Sequence, residues 1–270
     1  PEALVGLADI PTGGRVGKFL ENEGGTFGFR PKQAREFITD TLNSDATKEA
    51  QRKFQEADGV WDKTKTAIQN PSLIAAAVGE SLPAMGLGGV AARGLLAGTR
   101  LGQMGATGAA LAGAAGEGVV GAGQQAEQIR QETKDGLLTP EQTGYAGLTG
   151  LTTAGFGALG GKIANRLGIG DVDVMLAEGA KGMARHTAQD AASRAATAAA
   201  NPLVEQAALK SIPAKIIQGA ISEGLLEELP QSVSEQIFQN LALGDPWHKD
   251  VDSAAVLGTL SGGAMGAGAA

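Results

Sequence analysis

At 270 residues the chain can hold one large domain or two ordinary ones. Its 42 glycines stand against seven Phe, two Trp and one Tyr, which leaves few large side chains for a dense apolar interior, so contacts must come largely from close backbone approach. A formal net charge of -7 argues against a DNA-binding surface, which needs clustered Lys and Arg, and the lack of cysteine excludes disulfides and thiol chemistry.

The opening, PEALVGLADIPTGGRVGKFLENEGGTFGF, mixes Pro and Gly with scattered apolar residues and reads as loop around a short helix near Val16 to Leu20. It has no basic region followed by an apolar stretch, so no signal peptide is visible. The start at Pro1 and the charge-free end SGGAMGAGAA suggest a segment cut from a longer polypeptide. Pro31 suits a first helical position, and KQAREFITDTL follows as a short helix. Ser44 or Asp45 can cap the next helix, with Ala46, Ala50, Phe54, Ala57, Trp61, Thr64 and Ile68 on one face, and Asn70 and Pro71 end it.

From Ser72 the chain becomes small and apolar, and Pro83 is expected to break any single long helix. Arg93 and Arg100 mark either a boundary between water and something less polar or a solvated pair. From Gly94 to Ala126 every fourth residue is small: Gly94, Gly98, Gly102, Ala106, Ala110, Ala114, Gly118, Ala122 and Ala126. Read as helix, that row is a ridge that another helix can approach closely, although Gly and Ala are so abundant here that composition alone could produce it. Ten glycines lie between Gly94 and Gly123. Each costs about 1 kcal/mol relative to Ala inside a helix, so the segment needs other helices, or a membrane, to become helical.

A polar helix through Glu127 to Glu132, a turn at Asp135, Gly136 and Pro140, and twenty charge-free residues from Gln142 to Gly161 form a helical hairpin. A second copy follows about 108 residues later. Glu117-Gly118 corresponds to Glu223-Gly224, and Glu127, Gln128 and Ile129 of EQIRQ to Glu235, Gln236 and Ile237 of EQIFQ. Pro140 then corresponds to Pro246, and a Gly/Ala-rich arm closes each copy. The second arm carries its own small row, Gly258, Gly262, Gly266 and Ala270, while the first continues through Gly150, Gly157 and Gly161. These glycines are the expected helix-packing or oligomer contacts.

Between the copies an alanine-rich run, DVDVMLAEGAKGMARHTAQDAASRAATAAANP, is strong in helix propensity. A further helix from Leu203 leads through Pro213 into the second hairpin. No segment alternates apolar and polar residues at length, so almost no strand is expected. The expected fold is all-α, in an elongated or oligomeric assembly. Loop and amphipathic helices occupy 1–70, a Gly/Ala-rich hairpin region 71–165, an Ala-rich connector 166–215 and the second hairpin, repeating about 117–161, 216–270.

No catalytic, cofactor or metal constellation stands out. The string GFGALG at Gly155 to Gly160, with Asp171 and Asp173 downstream, matches a dinucleotide fingerprint, but the small, polar TGYAGLTGLTTA before it is no buried strand. Lys162 follows Gly161 without the glycine spacing of a phosphate loop, and His186 and His248 lack partners at metal-ligand spacing. Glu223, Glu227, Glu228 and Glu235 read as a solvated face or as interhelical hydrogen-bonding groups. Trp247 is expected to anchor the hairpin end in the core, with a membrane interface as the other reading.

Three parts of the chain, LVGLADIPTGGRVG, AEQIRQETKDGLLTPEQ with AGFGALGGKIANRLGIGDVDVML, and EELPQSVSEQIFQNLALGDPW, resemble the internal virion, or DNA-ejection, proteins of short-tailed bacteriophages. The resemblance implies a protein packed in the capsid, expelled ahead of the genome and reassembled into a channel across the host envelope. Its implied partners are copies of itself, other ejection proteins, the portal or tail and, conditionally, the host membrane, with DNA only as cargo. Some members carry a transglycosylase domain, whose motif is not found here, so a non-enzymatic segment is expected. Gln142 to Gly161 is about long enough to span a bilayer, but its Gly and Thr point to conditional insertion. A purely structural capsid-core or tape-measure-like segment and a pore-forming toxin-like domain are the alternatives.

Overall fold

The computed structural model describes residues 2–27, 44–167 and 221–269. The expected helix over KQAREFITDTL and the Ala-rich connector, with His186, Asp171 and Asp173, lie outside the described residues. The fold is all-α, with no strand among the described residues. Its α-helices are α1 (Glu2–Thr12), α2 (Arg15–Phe27), α3 (Asp45–Glu56), α4 (Gly59–Gln69), α5 (Pro71–Gly98), α6 (Gly105–Glu132), α7 (Pro140–Leu167), α8 (Leu229–Leu243) and α9 (Val251–Ala269). A 3-10 turn (Arg100–Gln103) joins α5 to α6, and a π-helix (Ile221–Glu228) runs into α8.

The antiparallel pair α6 and α7 is the centre of the bundle. Helix α1 and helix α5 pack on α6, while α8 and the π-helix pack on α7. Helix α9 covers the π-helix and α8 and reaches across to α4 and α5. The apolar core is correspondingly thin and alanine-rich. One cluster joins Ala50, Phe54, Ala67, Leu73 and Val256, and another joins Ala126, Ile129, Leu138, Ala146 and Ala242.

Several expectations need correction. The opening is helical because tertiary contact overrides its composition: α1 buries Ala3, Val5, Gly6 and Asp9 on one face, and Pro11 falls in the last turn. Gly13 and Gly14, at φ of 66° and 84°, make the turn into α2. There the Leu138 N–H donates to the Gly13 carbonyl at 3.0 Å, tying this turn to the α6–α7 loop. The single amphipathic helix expected from Ala46 to Ile68 is two helices, broken at Ala57 and Asp58, with Gly59 at φ 71°. The break shifts the helical phase. Ala50 and Phe54 of the expected face are buried, but Trp61 is 79% exposed and Ile68 60% exposed, and Ala67 is buried in place of Ile68. The cap at Ser44 forms as its residue type requires, its hydroxyl accepting from the Thr47 N–H at 3.3 Å.

Pro83 does not end α5, which runs unbroken from Pro71 to Gly98. Contacts with α6 and α9 outweigh the one backbone hydrogen bond a proline removes. The stretch from Gly94 to Ala126 is not one helix, because Thr99 to Met104 turn the chain back on itself. Trp247 is not a core anchor: it is 57% exposed, and what is held at that loop is its carbonyl, which accepts from Asn240 Nδ2 at 3.0 Å. Gly244, at φ 76°, closes α8, and the Asp245 N–H donates to the Asn240 carbonyl at 2.8 Å.

The π-helix runs directly into α8, whose second residue is Pro230, a first-turn position that tolerates the missing N–H.

Candidate functional site

The feature that sets this molecule apart is a set of glycine contacts around α6 and α7. Gly118 and Gly150 face each other across the pair, so that a Cβ on either would overlap the other's carbonyl. On the far side of α6, Gly123 lies against the Ala3 carbonyl and Gly6 against the Gly123 carbonyl. Gly116 meets Gly88 and Ala92 of α5, and Gly224 of the π-helix meets Thr259 and Gly263 of α9. At each point two helices approach to a distance no side chain allows.

The expected contact residues divide. Gly118, Gly150, Gly157 and Gly258 meet other helices, Gly258 resting on the Ser232 side chain and the Glu228 carbonyl. Gly262 is buried in α9. Among the described residues Gly94 and Gly98 have nothing within 4 Å of a would-be Cβ, and they lie on an exposed face of α5. Gly102 falls in the 3-10 turn, Ala106 in α6, Gly161 in α7 and Gly266 in α9. Pro140 opens α7 and Pro246 lies in the exposed α8–α9 loop. The GFGALG string is internal to α7, which leaves no strand-to-helix turn for a dinucleotide.

Close to the glycine contacts lies a buried ionic cluster. Arg130 is fully buried and donates to Glu127 through Nε at 2.8 Å and Nη2 at 2.7 Å. It also reaches Glu21 of α2 at 3.2 and 3.3 Å and forms an ion pair with Asp9 of α1 at 3.3 Å. Asp9, equally buried, accepts from the Gly17 N–H at 2.9 and 3.1 Å. Burial pushes the Asp9 carboxyl above its ordinary value, and nearby Glu127 pushes the same way, against the Gly17 N–H and the Arg130 charge. Burial opposes the Arg130 charge too, but hydrogen bonds to Glu127 and Glu21 more than offset it. The expected polar helix at Glu127 to Glu132 is therefore interior over its first turn, with Glu127, Ile129 and Arg130 buried and Gln128 half-buried, and reaches solvent at Glu132. Only the Glu-x-x-Arg spacing within EQIRQ hinted at the cluster, because Asp9 and Glu21 arrive from over a hundred residues away in sequence.

A second polar seam runs between α7 and α8. Gln231 Nε2 donates to the Thr153 carbonyl at 3.4 Å, the Ser234 hydroxyl to the Thr152 hydroxyl at 3.4 Å, and the Thr153 hydroxyl to Glu235 at 3.4 Å. Glu235, Gln236 and Ile237 are half-buried, and loss of water pushes the Glu235 carboxyl up to about 7 despite the Thr153 hydrogen bond. Glu227 is buried beside Gly157 and Gly160, and Glu117 approaches Gly157 from α6. The acids of the second hairpin are thus in part interior groups, and a solvated face is ruled out for Glu227.

Among the described residues no group of three His, Asp or Glu is placed to hold a metal ion, and no helix is long and apolar enough to cross a membrane. Comparison with protein-family models, characterised proteins and solved structures finds nothing that matches this chain.

Proposed function

We propose that this chain is a non-enzymatic assembly segment of a phage internal virion protein, one that enters the host envelope and oligomerises into a channel for genome delivery. The observation that supports this reading is the way the helices meet. Their contacts are backbone against backbone, at Gly118 and Gly150 and at Gly6 and Gly123, with an alanine-rich core between. Such a bundle relies on surface complementarity more than on a large apolar interior, which suits helices that separate and pack again. The exposed Gly94 and Gly98 offer the same kind of close-approach face to another copy or to a sister ejection protein.

A second reading, a capsid-core or tape-measure-like segment that never enters a bilayer, draws support from the lack of an apolar span among the described residues. Liposome flotation combined with cross-linking separates the two. Channel assembly predicts that wild type floats and that Gly94→Leu/Gly98→Leu changes the cross-linked oligomers while flotation persists. Oligomers without flotation favour the capsid-core reading. A monomer that neither floats nor cross-links overturns both.

A further inference from the structure

Helix α7 meets α6 through Gly150 and Ala154 and α8 through Thr152 and Thr153. Another of its faces carries Gly144, Leu148, Leu151, Gly155 and Leu159, all of them exposed. At about 100° per residue these positions share an arc of about 80° and extend about 22 Å along the helix. Leu148 is 44%, Leu151 71% and Leu159 56% exposed, and Leu151 is the most exposed leucine among the described residues. Among the described residues nothing lies within 4 Å of a Cβ built on Gly144 or Gly155. No charge interrupts this face, because Gln142 to Gly161 hold no Asp, Glu, Lys or Arg. Glu141 precedes that stretch and Lys162 follows it, both within α7.

A continuous row of exposed leucines marks an interaction surface, and this row is complementary to itself. We propose that two copies of the chain pair through it, with their α7 helices antiparallel about a two-fold axis between Leu151 and Thr152. In that register Leu148 meets Gly155 of the second copy, Leu159 meets its Gly144, and Leu151 lies beside its own mate at the axis. Each leucine away from the axis thus falls on a glycine gap, as knobs fall into holes. The same register sets Glu141 opposite Lys162 at both ends, so opposite charges close a charge-free contact. A fluid lipid surface has no use for gaps set to receive leucines, whereas a second copy of the same helix does.

The contact is isologous, using one patch on both copies, and therefore closes at two. It is separate from Gly94 and Gly98 on α5 and stands independently of the phage reading, since it joins chains in pairs whether or not they meet a membrane. Leu151→Glu brings two carboxylates together at the axis and should weaken association at least about 100-fold. The side chain is mostly in solvent in the single chain, so the fold should tolerate the change.

Sedimentation equilibrium of the whole chain without lipid tests this. At micromolar concentration wild type should be a dimer and Leu151→Glu a monomer of unchanged helix content by circular dichroism. Because the chain has no cysteine, introduced ones read the register. Leu151→Cys should form a disulfide with its own mate. Leu148→Cys should link to Gly155→Cys at least about tenfold faster than to itself, because its mate stands about 10 Å away along the axis, beyond disulfide reach. A monomeric wild type overturns the pairing, as does a dimer that survives Leu151→Glu or a Leu148→Cys that links to itself as readily as to Gly155→Cys. Should Leu151→Glu fail to fold, the cross-links decide. A chain that floats on liposomes yet is monomeric without them overturns this pairing and leaves the phage reading standing. A dimer with these cross-links that never floats upholds the pairing and removes the channel.

Discussion

The two hairpins carry nearly the same pentapeptide, EQIRQ in α6 and EQIFQ in α8, yet the two glutamates have different surroundings. In α6, Arg130 binds Glu127 directly and gathers Asp9 and Glu21 from the N-terminal helices. In α8, Phe238 takes the equivalent position, stacks on Tyr145, and leaves Glu235 with a threonine hydroxyl. One hairpin is thus joined to its neighbour through a buried arginine, the other through threonine, serine, glutamine and glutamate side chains. A short sequence match carries a helix faithfully but not the environment into which the helix is built.

The largest test of that contrast is Arg130→Phe, which gives the first hairpin the residue of the second. Removing the guanidinium leaves buried carboxylates unpaired and should cost about 3–5 kcal/mol in urea denaturation. A loss under about 1 kcal/mol would mean that the cluster is dispensable and the contrast superficial.

Glycine-to-alanine substitutions sharpen the comparison at the next scale. Gly118→Ala forces a methyl onto the Gly150 carbonyl and should destabilise by about 1–3 kcal/mol. Gly258→Ala in the second hairpin presses on the Ser232 hydroxyl, which can rotate away, but also on the fixed Ser232 Cβ and the Glu228 carbonyl, and should destabilise by a comparable amount. Gly94→Ala points into open space, so the gain in helix propensity should stabilise the isolated chain by up to about 1 kcal/mol. Thermal unfolding of the three variants reads all three signs together.

Smaller again is the effect of pH on the charged cluster. The Asp9 carboxyl is raised by burial, so its contribution is complete below the unfolded value of 3.8 and is lost as pH rises through its folded one. The stability of wild type relative to Asp9→Asn should therefore grow as pH falls from 7 towards 4, measured by urea midpoints, and a difference that shrinks would show Arg130 outweighing burial. At the small end, Trp61→Ala should leave stability within about 0.5 kcal/mol, since the ring is mostly in solvent.

Local signals carried much of this fold. The cap at Ser44, the stop at Asn70 and Pro71, and the turn at Gly136, with φ of 64°, are set by a few neighbouring atoms and were legible from residue type. What the sequence obscured were the effects of distant partners. Gly6 looks like a loop residue until Gly123 is beside it, and Asp9 looks like a surface acid until Arg130 arrives. The four-residue row from Gly94 misled in a different way: it continues across a reversal of the chain, so Gly94 and Gly118 belong to different helices and only the latter meets another helix. Counting fours along a chain cannot reveal where the chain turns.

The glycine contacts also bear on the entropy of assembly. A leucine or methionine at a helix interface must give up rotamers when the surfaces meet, whereas glycine and alanine have none to lose. Where Gly118 meets Gly150 and Gly6 meets Gly123, no rotamers are frozen at the touching atoms, and the ordering cost falls almost wholly on the backbone. Once its helices are formed, this bundle can close without first sorting side chains into a single arrangement.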